Sequence, residues 1–178
     1  MKIMFNKNFK RKKIRLENYD YSRNGLYFVT ICTKDRISYL CTIKETLDCV
    51  GADIIRPITE LTDIGKIIDY SLHQIEKTYD DVYVMKYCIM PDHIHLIISI
   101  NRDYEIISDG RIISAPTIPT IIGSFKRFVS RKSGFSIWQK SYYDRIIRNK
   151  DELAEIWDYI ENNPLNWVNN KFNQNKWR

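Results

Sequence analysis

An α+β domain built on an antiparallel sheet is what this 178-residue chain predicts. Three observations carry that expectation. Runs rich in β-branched and aromatic residues recur at 26–33, 82–90 and 93–100, as strands require. Two stretches with apolar residues at helical spacing separate or follow them. Two of the runs are joined only by Pro91-Asp92, which leaves room for a tight antiparallel turn and nothing else.

Residues 1–24 are polar and basic and read as an arm. Leu26 to Thr33, LYFVTICT, reads as a buried strand, with a short partner at Ile37–Cys41. Residues 42–59 are weakly patterned and read as loop with room for short strands. Leu61, Ile64, Ile68, Leu72 and Ile75 repeat at helical spacing, which predicts a helix over roughly 60–78 capped by Thr59 or Thr62. Asp80 and Asp81 end it. Val82–Met90 and His93–Ile100 then form a hairpin.

After an irregular stretch at 101–116, Ile118, Ile121, Ile122, Phe125 and Val129 predict a second helix over about 117–132, closed by Gly134. Residues 136–148 read as extended. Asn149 or Asp151 can cap a third helix over about 151–163, with Leu153, Ile156, Trp157 and Ile160 as its apolar stripe and Pro164 as its stop. Strand, helix, strand pair, helix, strand, helix is a ferredoxin-like order: an antiparallel sheet with helices on one face, plus an extra C-terminal helix.

The net charge of +6 is unevenly placed. Residues 1–15 carry +7 and residues 123–150 carry +7, while the long segment between them is acidic. Clustered Lys and Arg gain from releasing counterions condensed on phosphates, so a polyanion is the expected partner, with a solvated face the bland alternative. A composition 44% hydrophobic and 13% aromatic excludes a globally disordered chain. There is no apolar run long enough to span a bilayer and no apolar segment after the basic start, so no membrane or secretory role is expected. Cys32, Cys41, Cys49 and Cys88 show no CxxC spacing and read as reduced thiols of a cytoplasmic protein.

His93 and His95 flank Ile94 on a strand. Residues i and i+2 share a face about 6.6 Å apart, so the two imidazoles lie side by side while Ile94 points into the core. Neutral imidazole is a common metal ligand, so the pair can hold one divalent ion; a pair of surface histidines is the alternative. Asp92 either orients a metal-bound imidazole or caps the turn. His73 falls on the polar side of the first helix, as a bystander.

The segment from Met90 to Ile97, MPDHIHLI, resembles the histidine–hydrophobic–histidine (HUH) motif of single-tyrosine transposases. Trp138-Gln139, the run Tyr142 to Arg148 and the run Asp158 to Pro164 resemble the REP-associated tyrosine transposase branch. The resemblance covers about residues 20–170. It implies a catalytic domain at 25–172 between the arm at 1–24 and a tail at 173–178. It further implies a metal-dependent endonuclease and strand-transferase acting on single-stranded or hairpin DNA, as a homodimer or a monomer, in the bacterial cytoplasm near the nucleoid.

Such an enzyme needs a nucleophilic tyrosine on a helix facing the histidine strand. Tyr142 and Tyr143 lie on predicted strand, whereas Tyr159 lies on the third helix. At about 100° per residue, Tyr159 projects roughly 110° from the centre of the apolar stripe, so the core does not need it. Asn163 lies four residues on and shares its face. The Tyr-x-x-x-Asn pattern resembles the family's nucleophile and third metal ligand, although related transposases carry Gln there; Glu161 competes but points off that face. The implied ion is Mg²⁺ or Mn²⁺, with two imidazoles favouring the latter. It would polarise a phosphodiester for in-line attack by Tyr159 and leave a 5′-phosphotyrosine.

Lys126, Arg127, Arg131, Lys132, Lys140, Arg145 and Arg148 are expected to contact phosphates of the bound strand, and Lys10, Arg11, Lys12 and Lys13 to reach DNA through the arm. Trp138 is a candidate for base stacking, with core packing the alternative. Two other readings stand beside this one: an HUH replication initiator or relaxase, and a non-catalytic ferredoxin-like nucleic-acid-binding module that needs neither the histidine pair nor Tyr159.

Overall fold

The computed structural model describes residues 23–47, 55–101 and 116–175. The strands are β1 (Gly25–Cys32), β2 (Cys41–Leu47), β3 (Ile55–Leu61), β4 (Val82–Met90), β5 (His93–Ile100) and β6 (Tyr143–Ile147). The helices are α1 (Asp63–Thr78), α2 (Ile118–Ser133), α3 (Lys150–Glu161) and α4 (Asn163–Asn175). Four strands make one antiparallel sheet in the order β4-β5-β1-β6. With β2 and β3 set apart as their own hairpin, this is the ferredoxin-like arrangement.

Alternation along the central strands sorts side chains to two faces. Tyr27, Val29 and Ile31 of β1, with Ile94, Leu96, Ile98 and Ile100 of β5, pack under α1 and α2. Phe28 and Ile97 face the other way and meet Ile156 and Ile160 of α3. The sheet is therefore covered on both sides, α1 and α2 on one and α3 on the other. The β4–β5 turn pairs Met90 with His93, which leaves Pro91 and Asp92 as its two residues.

Helix ends follow their local chemistry. Thr62 accepts a hydrogen bond from Gly65 N at 3.0 Å, and Asn149 accepts one from Glu152 N at 2.8 Å. Gly134 closes α2 in the left-handed region, at φ 80°. Gly65 is needed for a different reason: a Cβ there would run into the Leu40 carbonyl oxygen, where the segment leading into β2 crosses the first turn of α1.

Four expectations need correction. Ile37–Leu40 is not strand: Cys41 opens β2, and the short strands allowed within 42–59 are β2 and β3, paired as a hairpin. The extended stretch at 136–148 narrows to β6 plus a single bridge between Thr33 and Trp138. Pro164 does not stop the helical path: α3 ends at Glu161, and α4 starts at Asn163 and continues past residue 172. A proline lacks the N–H that the first turn of a helix leaves unpaired anyway, so it starts a helix as readily as it ends one. Trp157 sits at the edge of the α3 stripe and is exposed, with the Lys86 ammonium 4.5 Å from its ring centroid.

Candidate active site

His93 and His95 leave β5 on the α3 face, 4.6 Å apart between ring centroids. Both are buried. The sheet register puts Thr30 directly opposite His95, and the Thr30 hydroxyl meets His95 Nδ1 at 2.8 Å. Phe28, two residues earlier on the same face, stacks on His95 at 5.4 Å. His93 Nδ1 is 2.6 Å from the Asp92 carboxylate, the geometry of an acceptor that orients the imidazole. Each Nδ1 is thus engaged, and Nε2 is the nitrogen that each ring offers to a ligand.

Burial depresses both histidines. His93 lies below its ordinary value because burial outweighs the opposing pull of Asp92. His95 is pushed down to about 3 by burial first, then by its neighbours His93 and Arg36. Both rings are therefore neutral at physiological pH, with lone pairs available to a cation.

Packing of α3 brings Tyr159 over this pair. Ile156 and Ile160 are buried against Phe28, Ile97 and Ile147, which sets the rotation of the helix. Tyr159 consequently sits half exposed with its hydroxyl 3.3 Å from His95 Nε2. Its ring lies edge-on to Phe28 at 6.1 Å. Asn163, at the start of α4, is buried and lines the same cavity as His93, His95 and Tyr159, about 510 Å³ in volume. Glu161 turns away and pairs with Lys86. Among the described residues no third His, Cys, Asp or Glu joins the pair, so the donor set offered is two imidazoles and an amide.

Several side chains of this cavity carried no sequence signal. Thr30 needs the β1–β5 register to be placed. Arg36 pairs with Asp92 at 2.9 Å and lines the cavity. Asn166, Trp167 and Asn169 enter it from α4, which the expected helix stop at Pro164 had concealed.

The basic block of 123–150 does not act as one surface. Lys126 is half-buried and donates to the carbonyl oxygens of Gln139, at 2.6 Å, and Lys140, at 3.3 Å, with burial lowering its pKa. It ties a loop to α2 instead of facing a phosphate. Arg127 and Arg131 line a groove of about 490 Å³ between α1 and α2, on the side of the sheet away from the histidines. Lys132 shares that helix and is exposed. Arg145 is on the α3 side but pairs with Glu152. Lys140 and Arg148 are exposed. Trp138 is buried and packs on Phe125 at 5.9 Å, so its faces are not open to a base. Lys10, Arg11, Lys12 and Lys13 lie outside the described residues. The thiols of Cys41 and Cys88 are pushed up by burial to about 12 and about 11, which makes them inert.

Residues 56–163, from β3 to the first residue of α4, match the family model described as IS200-like transposase. The chain belongs to that family. Among the transposase's relatives, an uncharacterized protein of Haemophilus influenzae is 31% identical over 88% of this chain and 89% of its own length. A second protein of that organism, assigned to the REP-associated tyrosine transposases, is 27% identical over 84% of this chain and 77% of its own. A solved REP-associated tyrosine transposase bound to a REP hairpin superposes with a TM-score of 0.57 at 17% identity, covering 85% of this chain and 73% of its own. That likeness is one of fold, and it agrees with the four-stranded antiparallel sheet and its helices. No described helix of this IS200-like transposase is long and apolar enough to cross a membrane.

Proposed function

We propose that this transposase nicks and rejoins single-stranded DNA through a covalent bond between Tyr159 and a 5′-phosphate, with Mg²⁺ or Mn²⁺ held by His93, His95 and Asn163. The observation that carries the proposal is the Tyr159 hydroxyl 3.3 Å from His95 Nε2, in a cavity that Asn163 also lines. The donor set fits such an ion: two neutral imidazoles whose Nδ1 atoms are already engaged, plus an amide oxygen. When bound, the cation would neutralise a non-bridging phosphate oxygen and draw electron density from phosphorus.

The chain's own residues supply the rest. Phe28 and His95 meet the tyrosine ring edge to face, and its half-exposed side chain is open to the strand. Tyr159 Oη forms a bond to phosphorus as the bond from phosphorus to the 3′-oxygen breaks. The phenol proton is lost and the departing 3′-oxygen gains one, so the products are a phosphotyrosine and a 3′-hydroxyl. The new ester keeps the phosphoryl group activated, and attack by a second 3′-hydroxyl reverses the step and joins strands. His95 Nε2 cannot both take the phenol proton and bind a cation with the same lone pair, so its part here is that of ligand.

Hairpin-forming single strands are the substrate class we assign, since the REP transposase of like fold was solved with a REP hairpin. We assign a homodimer as the working unit, with a monomer the alternative that sedimentation would reveal. The test is incubation with labelled hairpin oligonucleotides and Mn²⁺, followed by a denaturing gel. Wild type should give a covalent adduct. Tyr159→Phe should give none while its melting temperature stays close to wild type, because a half-exposed hydroxyl contributes little to stability. An adduct that survives Tyr159→Phe would move the nucleophile elsewhere. No adduct from wild type on any hairpin would favour a non-catalytic binding module.

A further inference from the structure

Arg36 stands in an unusual piece of backbone. It and Asp35 are the two non-glycine residues with positive φ among those described, at 57° and 56°. A left-handed conformation costs an L-residue about 1–2 kcal/mol, and here two are consecutive. Such strain persists only where surrounding structure enforces it, and it concentrates at functional sites. Here the enforcement is visible: on entry to the turn Thr33 N bonds the Asp92 carbonyl at 2.9 Å and Lys34 N the Ile137 carbonyl at 2.7 Å, and across it the Thr33 hydroxyl donates to the Ile37 carbonyl at 2.8 Å. What the turn accomplishes is to bring a guanidinium to the rim of the cavity that holds His93, His95 and Tyr159.

The use of that guanidinium is incomplete. Nε pairs with the buried Asp92 carboxylate at 2.9 Å, and Nη1 reaches Cys32 Sγ at 2.8 Å. Nη2 has no partner among the described residues, and about half of the side chain is open to solvent. Moreover, the other side chains that line the cavity are imidazoles, hydroxyls, amides and an indole. Arg36 is the one fixed positive charge among them. A planar fork with free N–H donors, anchored from behind by a carboxylate, is suited to a phosphate oxygen approaching from the front.

We infer that Arg36 is a substrate-contacting residue that binds a backbone phosphate of the DNA strand in the active cavity, with Asp92 and the strained turn holding its guanidinium in place. The inference rests on the cavity being where DNA is processed. It assigns a phosphate contact to the short turn Lys34–Arg36 that follows β1, outside the basic block at 123–150.

Binding of a labelled hairpin oligonucleotide, measured against salt concentration without divalent ions, tests this directly. Losing one phosphate contact to a single strand should make the log–log salt slope shallower by about 0.7. Arg36→Gln should show that change, and Arg36→Lys, which keeps the charge, should retain most of the wild-type slope. Mn²⁺ affinity, measured on the same proteins without DNA, should be unchanged by Arg36→Gln. An unchanged salt slope overturns the inference. So does a fall in Mn²⁺ affinity with the divalent-free DNA affinity left at the wild-type value, because Arg36 would then act only through Asp92 and His93.

Wild-type protein gives a second measure that no folding defect can spoil. The oligonucleotide should slow modification of Arg36 by phenylglyoxal several-fold, read by peptide mass spectrometry, and absence of protection counts against the contact. If wild type forms no covalent adduct, the proposed chemistry fails, yet the salt slope and the protection still decide whether Arg36 holds a phosphate.

Discussion

Replacing Asp92 by alanine removes one carboxylate from beneath two neighbours. His93 Nδ1 loses an acceptor at 2.6 Å in a buried setting, and Arg36 Nε loses one at 2.9 Å in a half-exposed setting. A stranded buried donor costs about 1–3 kcal/mol. The Arg36 share is smaller, because water reaches the guanidinium and screens the pair. Asp92 also stops paying for its own burial, so the net loss should be about 2 kcal/mol. At roughly 2–4 °C per kcal/mol for a domain of this size, the metal-free protein should melt about 4–8 °C lower.

The functional effect should be larger than the structural one. Loss of the acceptor behind a ligating imidazole typically weakens metal binding about 10–100-fold. Asp92→Asn keeps an acceptor oxygen in place and should fall between wild type and alanine in both respects. Melting followed by fluorescence and Mn²⁺ titration by paramagnetic resonance measure the two quantities. If Asp92→Ala matches wild type in Mn²⁺ affinity, Asp92 does not orient His93 and the proposed ligand geometry is wrong.

Other outcomes follow from the same structure. The metal-free protein should lose stability on mild acidification: His95 has its folded pKa pushed down to about 3 against an ordinary 6.5, so the unfolded chain takes up a proton that the folded one refuses. That contribution is whole above about pH 6.5 and is lost as pH falls towards 3. His95→Gln should flatten the melting profile across that window, and a wild-type profile that rises with acid would refute the assignment. Gly65→Ala should destabilise by more than about 2 kcal/mol in chemical unfolding, because its methyl meets a backbone oxygen that cannot yield cheaply. Lys126→Met should cost stability through the stranded carbonyls at 139 and 140 but leave the salt dependence of DNA binding unchanged; a shallower slope would return Lys126 to the DNA surface.

Much of the fold was legible because its signals are local. The strands at 26–33, 82–90 and 93–100 and the helices under Ile68 and Ile122 declare themselves by period, and caps such as Thr62 and Asn149 by side-chain type. The β2–β3 hairpin was not legible, since it holds Lys44, Glu60 and Pro57 and has little alternation to display. Pro164 misled because its covalent geometry is compatible with both the end of one helix and the start of the next. Trp138 shows the limit of composition: an aromatic residue in a basic segment suits a base or a core equally, and here Phe125 is its partner.

The pattern of residues along the chain was enough to select the ferredoxin-like sheet, to put two imidazoles on one side of a strand, and to turn Tyr159 off the core face of its helix. Strand period and helical pitch are properties of the backbone, so they need no partner to be read. Which cations would share the cavity was decided only by tertiary structure. The helix of Arg127 and Arg131 packs on the side of the sheet opposite the histidines, while Arg36, more than fifty residues before His93 in a turn without a motif, is carried to the cavity rim. Charge is counted along the sequence, but its potential acts across space, and the layer on which each helix packs determines which charges meet the substrate.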